Sequence, residues 1–279
     1  MKLQGMFVAA ATPFDHTGAI YRAKVQHNFD KWSHTGVAGF VVGSVAGEGP
    51  LLDAAEKVEL IRLARPLVQQ GRLILADVSC EGADNAARLA KAAAEAGADG
   101  VTSSPPHLYP GRALLYFRTL ADRSPVPVVM EGAALTVEEI GQLALHPNIV
   151  GVIDSGARAA SIRAAAGKDF AILCGSEQRV WESLKAGANG AVLAVASAVP
   201  YAAIAIWEAF RTREEDAGID WQGRIAHPGE LVTETYGPAG LKHAMDLTGY
   251  YGGPPRLPLT VPSGQAREQI ENAFRDLKG

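Results

Sequence analysis

The chain has 279 residues, 48% hydrophobic and 20% charged, with a formal net charge of −4. That composition suits one large α/β domain with a full core. Acidic and basic residues are interspersed, with no basic stripe and no interleaving of aromatic and basic residues, which argues against nucleic acid as a partner.

Cys80 and Cys174 are too few for a disulfide framework. They read as small buried thiols of a reducing cytoplasm. Residues 1–11 lack the basic start and long apolar centre of a signal peptide. The uncharged run 190–207 approaches membrane-spanning length. Pro200 divides it into a strand with its loop and a helix opened by proline, so the chain is expected to be soluble, with no membrane partner.

In chain order, a strand-then-helix unit repeats. Residues 7–11 form a first apolar strand, followed by the loop TPFDHTG and a helix over 22–34. The second strand covers 39–43 and its helix 53–69, with Asp53 as N-cap and Glu56 closing a capping box. The third strand, 73–78, precedes an alanine-rich helix over 83–96 that Gly97 ends. A strand at 100–102 and a helix at 113–123 make the fourth unit; 126–130 and 136–145 make the fifth.

The sixth strand lies in PNIVGVIDSG, residues 147–156. Its apolar run ends at Ile153 and is bounded by Pro147 and by Asp154-Ser155-Gly156, the pattern of a strand buried on both faces of a parallel sheet. A helix over 159–166 follows. The seventh unit is 170–174 with a helix over 178–186, and the eighth strand is 190–194. The matching turns AGADG (96–100) and AGANG (186–190) mark the repeat.

Eight such units predict a closed (β/α)8 TIM barrel over residues 1–211. Residues 212–279 change to helices and Gly/Pro-rich loops and end in an amphipathic helix over 265–277, a C-terminal helical extension. Barrels of this kind place their chemistry at the C-terminal ends of the strands, so Ile153 and Asp154 become the positions of interest.

At this point the sequence resembles the dihydrodipicolinate synthase / N-acetylneuraminate lyase family of class I aldolases. The likeness runs through ATPFDHTG (11–18), GVAGFVVGSVAGEGPLLDAAEK (36–57), EAGADGV (95–101), HPNIVGVIDS (146–155), ILCGSE (172–177), YGPAGLKHAMDLTGY (236–250) and GGPPRLPL (252–259). It implies a homo-oligomer, tetramer or dimer, and a chemistry. A sixth-strand lysine, its pKa depressed by the barrel interior, condenses with a 2-keto acid. A fifth-strand tyrosine and a threonine-bearing GTTGE loop serve it.

This chain departs at each of those positions. The lysine position falls on Ile153, the tyrosine on Glu131, and the loop reads Ser44-Val45-Ala46-Gly47-Glu48 without its threonines. A second aromatic of the proton relay aligns near His107, and the loop after Glu131 is short and lacks the usual arginine. The nine lysines are Lys2, Lys24, Lys31, Lys57, Lys91, Lys168, Lys185, Lys242 and Lys278. All fall at termini, on predicted helices or in the loop before the seventh strand, and none is expected at the mouth of the barrel.

Glu48, Glu81, His107, Tyr109, Glu131, Asp154, Ser155 and Glu177 are expected to converge there. Glu48, Asp154 and Glu177 match acidic positions that hold loops in the family. Glu131 and Asp77 stand out instead as carboxylates at buried strand positions, where an unpaired charge is costly unless protonated, paired or bound. The catalytic candidates are Glu131, His107 and Asp154. Substrate is expected against Ala9, Ser44, Val45, Ala46, Ile153, Gly175, Glu177 and Val192, with the backbone N–H groups of Val45 and Ala46 on its carboxylate. No cofactor is expected. A divalent metal among Glu131, Asp154 and Asp77 suits the chemistry of carboxylates, but no HxH or HExxH spacing supports it.

Two readings stay open. One is a lyase or hydratase acting on a small 2-keto or hydroxy acid without the lysine iminium. The other is a barrel that has lost its nucleophile and binds a metabolite or protein partner.

Overall fold

The computed structural model describes residues 1–277; Lys278 lies outside them. Eight parallel strands close a barrel in chain order: β1 (Gly5–Ala10), β2 (Gly39–Val42), β3 (Leu73–Asp77), β4 (Gly100–Ser103), β5 (Val128–Glu131), β6 (Ile149–Asp154), β7 (Ala171–Cys174) and β8 (Gly190–Leu193). Closure is through β1 and β8, which pair from Gly5 with Gly190 to Val8 with Leu193. The outer layer is α1 (Arg22–Ser33), α2 (Ala54–Ala64), α3 (Ala83–Glu95), α4 (Ala113–Arg123), α5 (Val137–Leu143), α6 (Ala159–Ala166), α7 (Val180–Lys185) and α8 (Pro200–Thr212). The C-terminal region adds α9 (Glu215–Glu230), α10 (Gly237–Leu247) and α11 (Gly264–Ala273).

Strand parity sorts the residues into two cores. Side chains alternate across a strand. Phe7 and Ala9 of β1 therefore join Val41, Leu75, Val129, Ile153, Leu173 and Val192 in a cluster filling the barrel. Met6, Val8, Ala10, Ala76, Met130 and Val152 face outwards into the larger core beneath the helices. The same alternation decides which polar strand-end residues look inwards. Counting by twos from Leu75 and Val129 reaches Asp77 and Glu131 on the inner face. Asp154, one residue past the inward Ile153, falls on the outer face.

Helix boundaries follow local chemistry. Asp53 and Glu56 exchange capping bonds: Glu56 N donates to Asp53 Oδ1 at 2.8 Å and Asp53 N to Glu56 Oε2 at 3.0 Å. The helix expected to reach residue 69 stops at Ala64 and passes into a 3₁₀ turn, Arg65–Leu67, because Pro66 has no N–H to continue the ladder. The uncharged run 190–207 divides as expected into β8, a 3₁₀ turn (Val195–Ser197) and α8, with Pro200 in its first turn. Among the described residues no helix is long and apolar enough to cross a membrane. Pro228 lies inside α9, which runs into a π-helical turn, Leu231–Thr235. Such widened turns follow where a ladder bond is missing.

The C-terminal region is tied to the mouth by buried charge. Lys242 on α10 and Glu48 in the β2–α2 loop are each 1% exposed, with Nζ 2.5 Å from Oε1. The ammonium also donates to Pro254 O at 2.9 Å and lies 4.2 Å from the centre of the Phe14 ring. Glu48 Oε2 accepts from Arg256 N at 2.7 Å. Removing one member of such a pair strands its partner's charge. Lys242→Met is thus expected to destabilise the chain by roughly 3–5 kcal/mol, read as a lowered urea midpoint with unchanged slope.

Candidate functional site

Two clefts open at the C-terminal ends of the strands, and Glu131 lies on the wall of both. The central one, with a volume of about 340 Å³, sits over the barrel interior. Ala9, Ser44, Val45, Ala46, Ile153, Gly175, Glu177 and Val192 all line it, together with Ser155, Thr233 and Glu234. The second, of about 330 Å³, lies to the side over the ends of β2 to β5 and is lined by Lys57, Asp77, Ser79, Glu81, Ser104 and His107 among others.

The loop after β2 is shaped by close backbone contacts. Gly47 N and Gly49 N both donate to Ser44 O, at 3.0 and 2.8 Å, closing a 3₁₀ turn, Val45–Gly47. A Cβ at Gly49 would stand 1.8 Å from Gly43 O, so only glycine fits there. Val45 and Ala46 open the turn, before any carbonyl of it can accept their N–H groups. Beside them, Ser44 Oγ is buried with no hydrogen-bond partner among the described residues. Ser44, Val45 and Ala46 line the central cleft, and donors left free at the start of such a turn suit an anionic or carbonyl oxygen.

Glu131 ends β5 opposite Ile153 of β6. Burial pushes its carboxyl up to about 7, Asp77's charge adds to that, and a bond from Ser104 Oγ at 3.4 Å partly opposes it. A carboxyl near half-protonation at neutral pH can both take and return a proton. Glu177 is likewise raised to about 7, first by burial, with Glu234's charge adding to it. Its Oε1 accepts from Ala194 N at 2.8 Å and Val195 N at 3.4 Å. Gly229 packs flat on this side chain, where a Cβ would come within 2.3 Å of Glu177 Cβ. Thr233 and Glu234 reach the cleft from the π-helical turn, which sequence periodicity does not reveal.

Asp154 is not brought to either cleft. Being on the outer face, it is 2% exposed and paired with Arg158, whose Nε donates to Oδ1 at 3.0 Å. The guanidinium continues to Gly132 O at 2.8 Å and Leu135 O at 2.6 Å. Asp154 is therefore placed to hold the short loop that follows Glu131. Asp154 also does not meet Asp77 and Glu131 as a metal cradle. Among the described residues no group of three or more His, Cys, Asp or Glu side chains has the arrangement of a metal site.

His107 lines the side cleft and is exposed. Its N–H and that of Leu108 donate to Glu81, at 3.1 and 3.0 Å, so Glu81 orders that loop. Tyr109, expected at the mouth, is instead 62% exposed beside the 3₁₀ turn Pro110–Arg112 and lines neither cleft. Ser155 Oγ donates to Gly175 O at 3.1 Å.

One lysine does reach the mouth. Lys57 Nζ donates to Asp77 Oδ1 at 3.1 Å and approaches Asp77 O at 3.4 Å, with both side chains below 10% exposed. This differs from the expectation that no lysine serves this end of the barrel, and the reason is helix direction. In a (β/α)8 barrel each helix begins near the mouth, and a helical side chain leans towards its own N-terminus. The capping box at Asp53 put Lys57 in the first turn of α2, so the signal was present in the sequence. From Asp77 a polar chain runs on. Ser79 Oγ donates to Asp77 Oδ2 at 2.8 Å, Ser104 N to Ser79 Oγ at 2.9 Å, and Ser104 Oγ to Glu131.

Comparison with known proteins agrees with this architecture. The family model described as the dihydrodipicolinate synthetase family matches residues 2–277. A 4-hydroxy-tetrahydrodipicolinate synthase from Exiguobacterium is 27% identical over 292 residues, covering 97% of this chain and 96% of its own. The enzyme of that name from Xanthomonas campestris is 28% identical, covering 97% and 94%. Dihydrodipicolinate synthase DapA-2 of Bacillus anthracis superposes with a TM-score of 0.92 at 23% identity, covering 99% of this chain and 98% of that one, a likeness of fold. A family match over almost the whole chain, on a closed eight-stranded barrel with its cleft at the strand ends, places this protein in the dihydrodipicolinate synthetase family.

Proposed function

We propose that this protein is a divergent lyase or hydratase of its family, acting as a cytoplasmic homo-oligomer on a small 2-keto or hydroxy acid. It works by acid/base chemistry, without an iminium on β6. The observation that carries this reading is Glu131, a carboxyl held near 7 on the wall common to both clefts. Ile153 takes the place of the family's lysine, and its side chain offers no amine. The substrate carboxylate sits against the N–H groups of Val45 and Ala46 and the Ser44 hydroxyl, and the carbon to be deprotonated faces Glu131. His107 is a secondary proton carrier on the side cleft.

The experiment is borohydride treatment with pyruvate and longer 2-keto acids, followed by intact mass, beside thermal shift with the same acids. A thermal shift with no covalent adduct is the expected result. A stable adduct on the native chain overturns the non-iminium reading.

A second reading, a binding protein without turnover, is favoured by one feature. No lysine, arginine or histidine lines the central cleft among the described residues, so charge there does little to stabilise an anionic intermediate. Ligand binding without product across the same acids distinguishes it.

A further inference from the structure

Acid/base chemistry next to a carbonyl needs somewhere for the electrons to go. When Glu131 removes a proton from the carbon beside a carbonyl, the C–H pair becomes a carbon–carbon double bond and the carbonyl π pair settles on oxygen. Without an iminium, that oxygen needs a fixed donor or cation. The central cleft supplies no cationic side chain. Among the described residues lining either cleft, Lys57 is the one lysine or arginine.

We propose that Lys57 is a catalytic residue acting from the side cleft, whose wall Glu131 shares, its ammonium holding the oxyanion that forms when Glu131 takes the proton. The inference rests on the acid/base role of Glu131. An ammonium has three N–H donors; two are directed at Asp77 Oδ1 and Asp77 O, and the third has no hydrogen-bond partner among the described residues. Asp77 is itself fixed, its second oxygen accepting from Ser79 Oγ at 2.8 Å and Thr102 Oγ1 at 3.3 Å. It aims the Lys57 side chain. The step balances: the proton passes to Glu131, the negative charge to the oxygen held by Lys57, and the reverse transfer restores both.

Lys242 shows what a purely structural lysine looks like in this fold. It too is buried and paired with a carboxylate, yet it lines neither cleft, and its donors go to Glu48 and Pro254 O. Lys57 differs in facing a cavity beside a titrating carboxyl.

The test is calorimetric binding of pyruvate and of oxalate, a planar dianion resembling the enolate, to the full chain at neutral pH. Tighter binding of oxalate, by on the order of a hundredfold as for intermediate analogues, is expected. That preference should collapse in Lys57→Gln while pyruvate affinity changes little. Because Lys57→Gln leaves Asp77 buried without its partner, the double variant Lys57→Gln/Asp77→Asn is measured alongside and should show the same collapse. Pyruvate binding with no oxalate preference, or a preference that survives in either folded variant, overturns the role of Lys57 and leaves Glu131's standing. Binding of neither acid removes the substrate class and the inference together.

Discussion

Glu131→Gln is expected to lower turnover by roughly 10²–10⁴-fold, the usual contribution of a positioned proton carrier, while leaving the thermal shift with pyruvate in place. The amide keeps the shape of the side chain and its contact with Ser104 but cannot take a proton. With Glu131 as base, kcat/KM of the native chain rises with pH through about 7. The same group leaves a mark on stability. Its value in the folded chain lies above the ordinary glutamate value of 4.5, so between those two pH values the folded state holds more protons than the unfolded one. Stability therefore falls as pH rises through that window. Urea midpoints compared at the two ends of the window should show a shallower fall in Glu131→Gln. Part of the fall should remain, because Glu177 is raised in the same direction and to a similar value. Unchanged turnover in a folded Glu131→Gln variant removes Glu131 from the mechanism.

Ile153→Lys is expected to form a borohydride-trappable adduct with pyruvate, which the proposed reading does not expect of the native chain. Ile153 is 8% exposed and faces into the barrel at the central cleft. A lysine there has apolar neighbours along its stem, which lowers its pKa by desolvation, and its amine reaches the cleft near Glu131 on the neighbouring strand. Glu131 is then available to carry protons during condensation. The measurement is intact mass after reduction, with native chain and Glu131→Gln/Ile153→Lys as controls. A folded Ile153→Lys chain that yields no adduct refutes the reading of Ile153 as the substituted nucleophile position.

The barrel could be read from the chain because its signals are local. Eight short apolar runs, each followed by an amphipathic stretch and divided by Gly-rich turns, leave few other ways to bury both faces of a parallel sheet. The cleft was harder. Ile153 and Glu131 are legible as strand-end residues, but a strand-end carboxylate alone does not reveal that parity turns Asp154 away from Ile153's side. Its partner, Arg158, sits four residues on, in the turn before α6, where no strand pattern draws notice. Lys57 was passed over because it lies on a helix, although the capping box fixed its turn. Thr233 and Glu234 reach the cleft only through the π-helical turn after Pro228, a tertiary outcome that periodicity does not carry. Tyr109 shows the opposite error: an aromatic in a loop next to a strand end was given to the mouth, and three-dimensional placement put it in solvent.

The link between the β2–α2 loop and the C-terminal region bears on how the chain is made. Glu48 lies in the first fifth of the sequence, whereas the groups that satisfy its two oxygens, Lys242 Nζ and Arg256 N, come from the last fifth. The Arg256 side chain also binds Glu56 and Gly18 O, and Asn28 exchanges two hydrogen bonds with Tyr251. During synthesis a ribosome that has released all eight strands still holds back the cation that pairs with the buried glutamate of the β2–α2 loop. A chain ending before residue 242 would lack both the cation and the segments that cover Glu48, leaving the β2–α2 loop without its C-terminal anchor and more open to local unfolding.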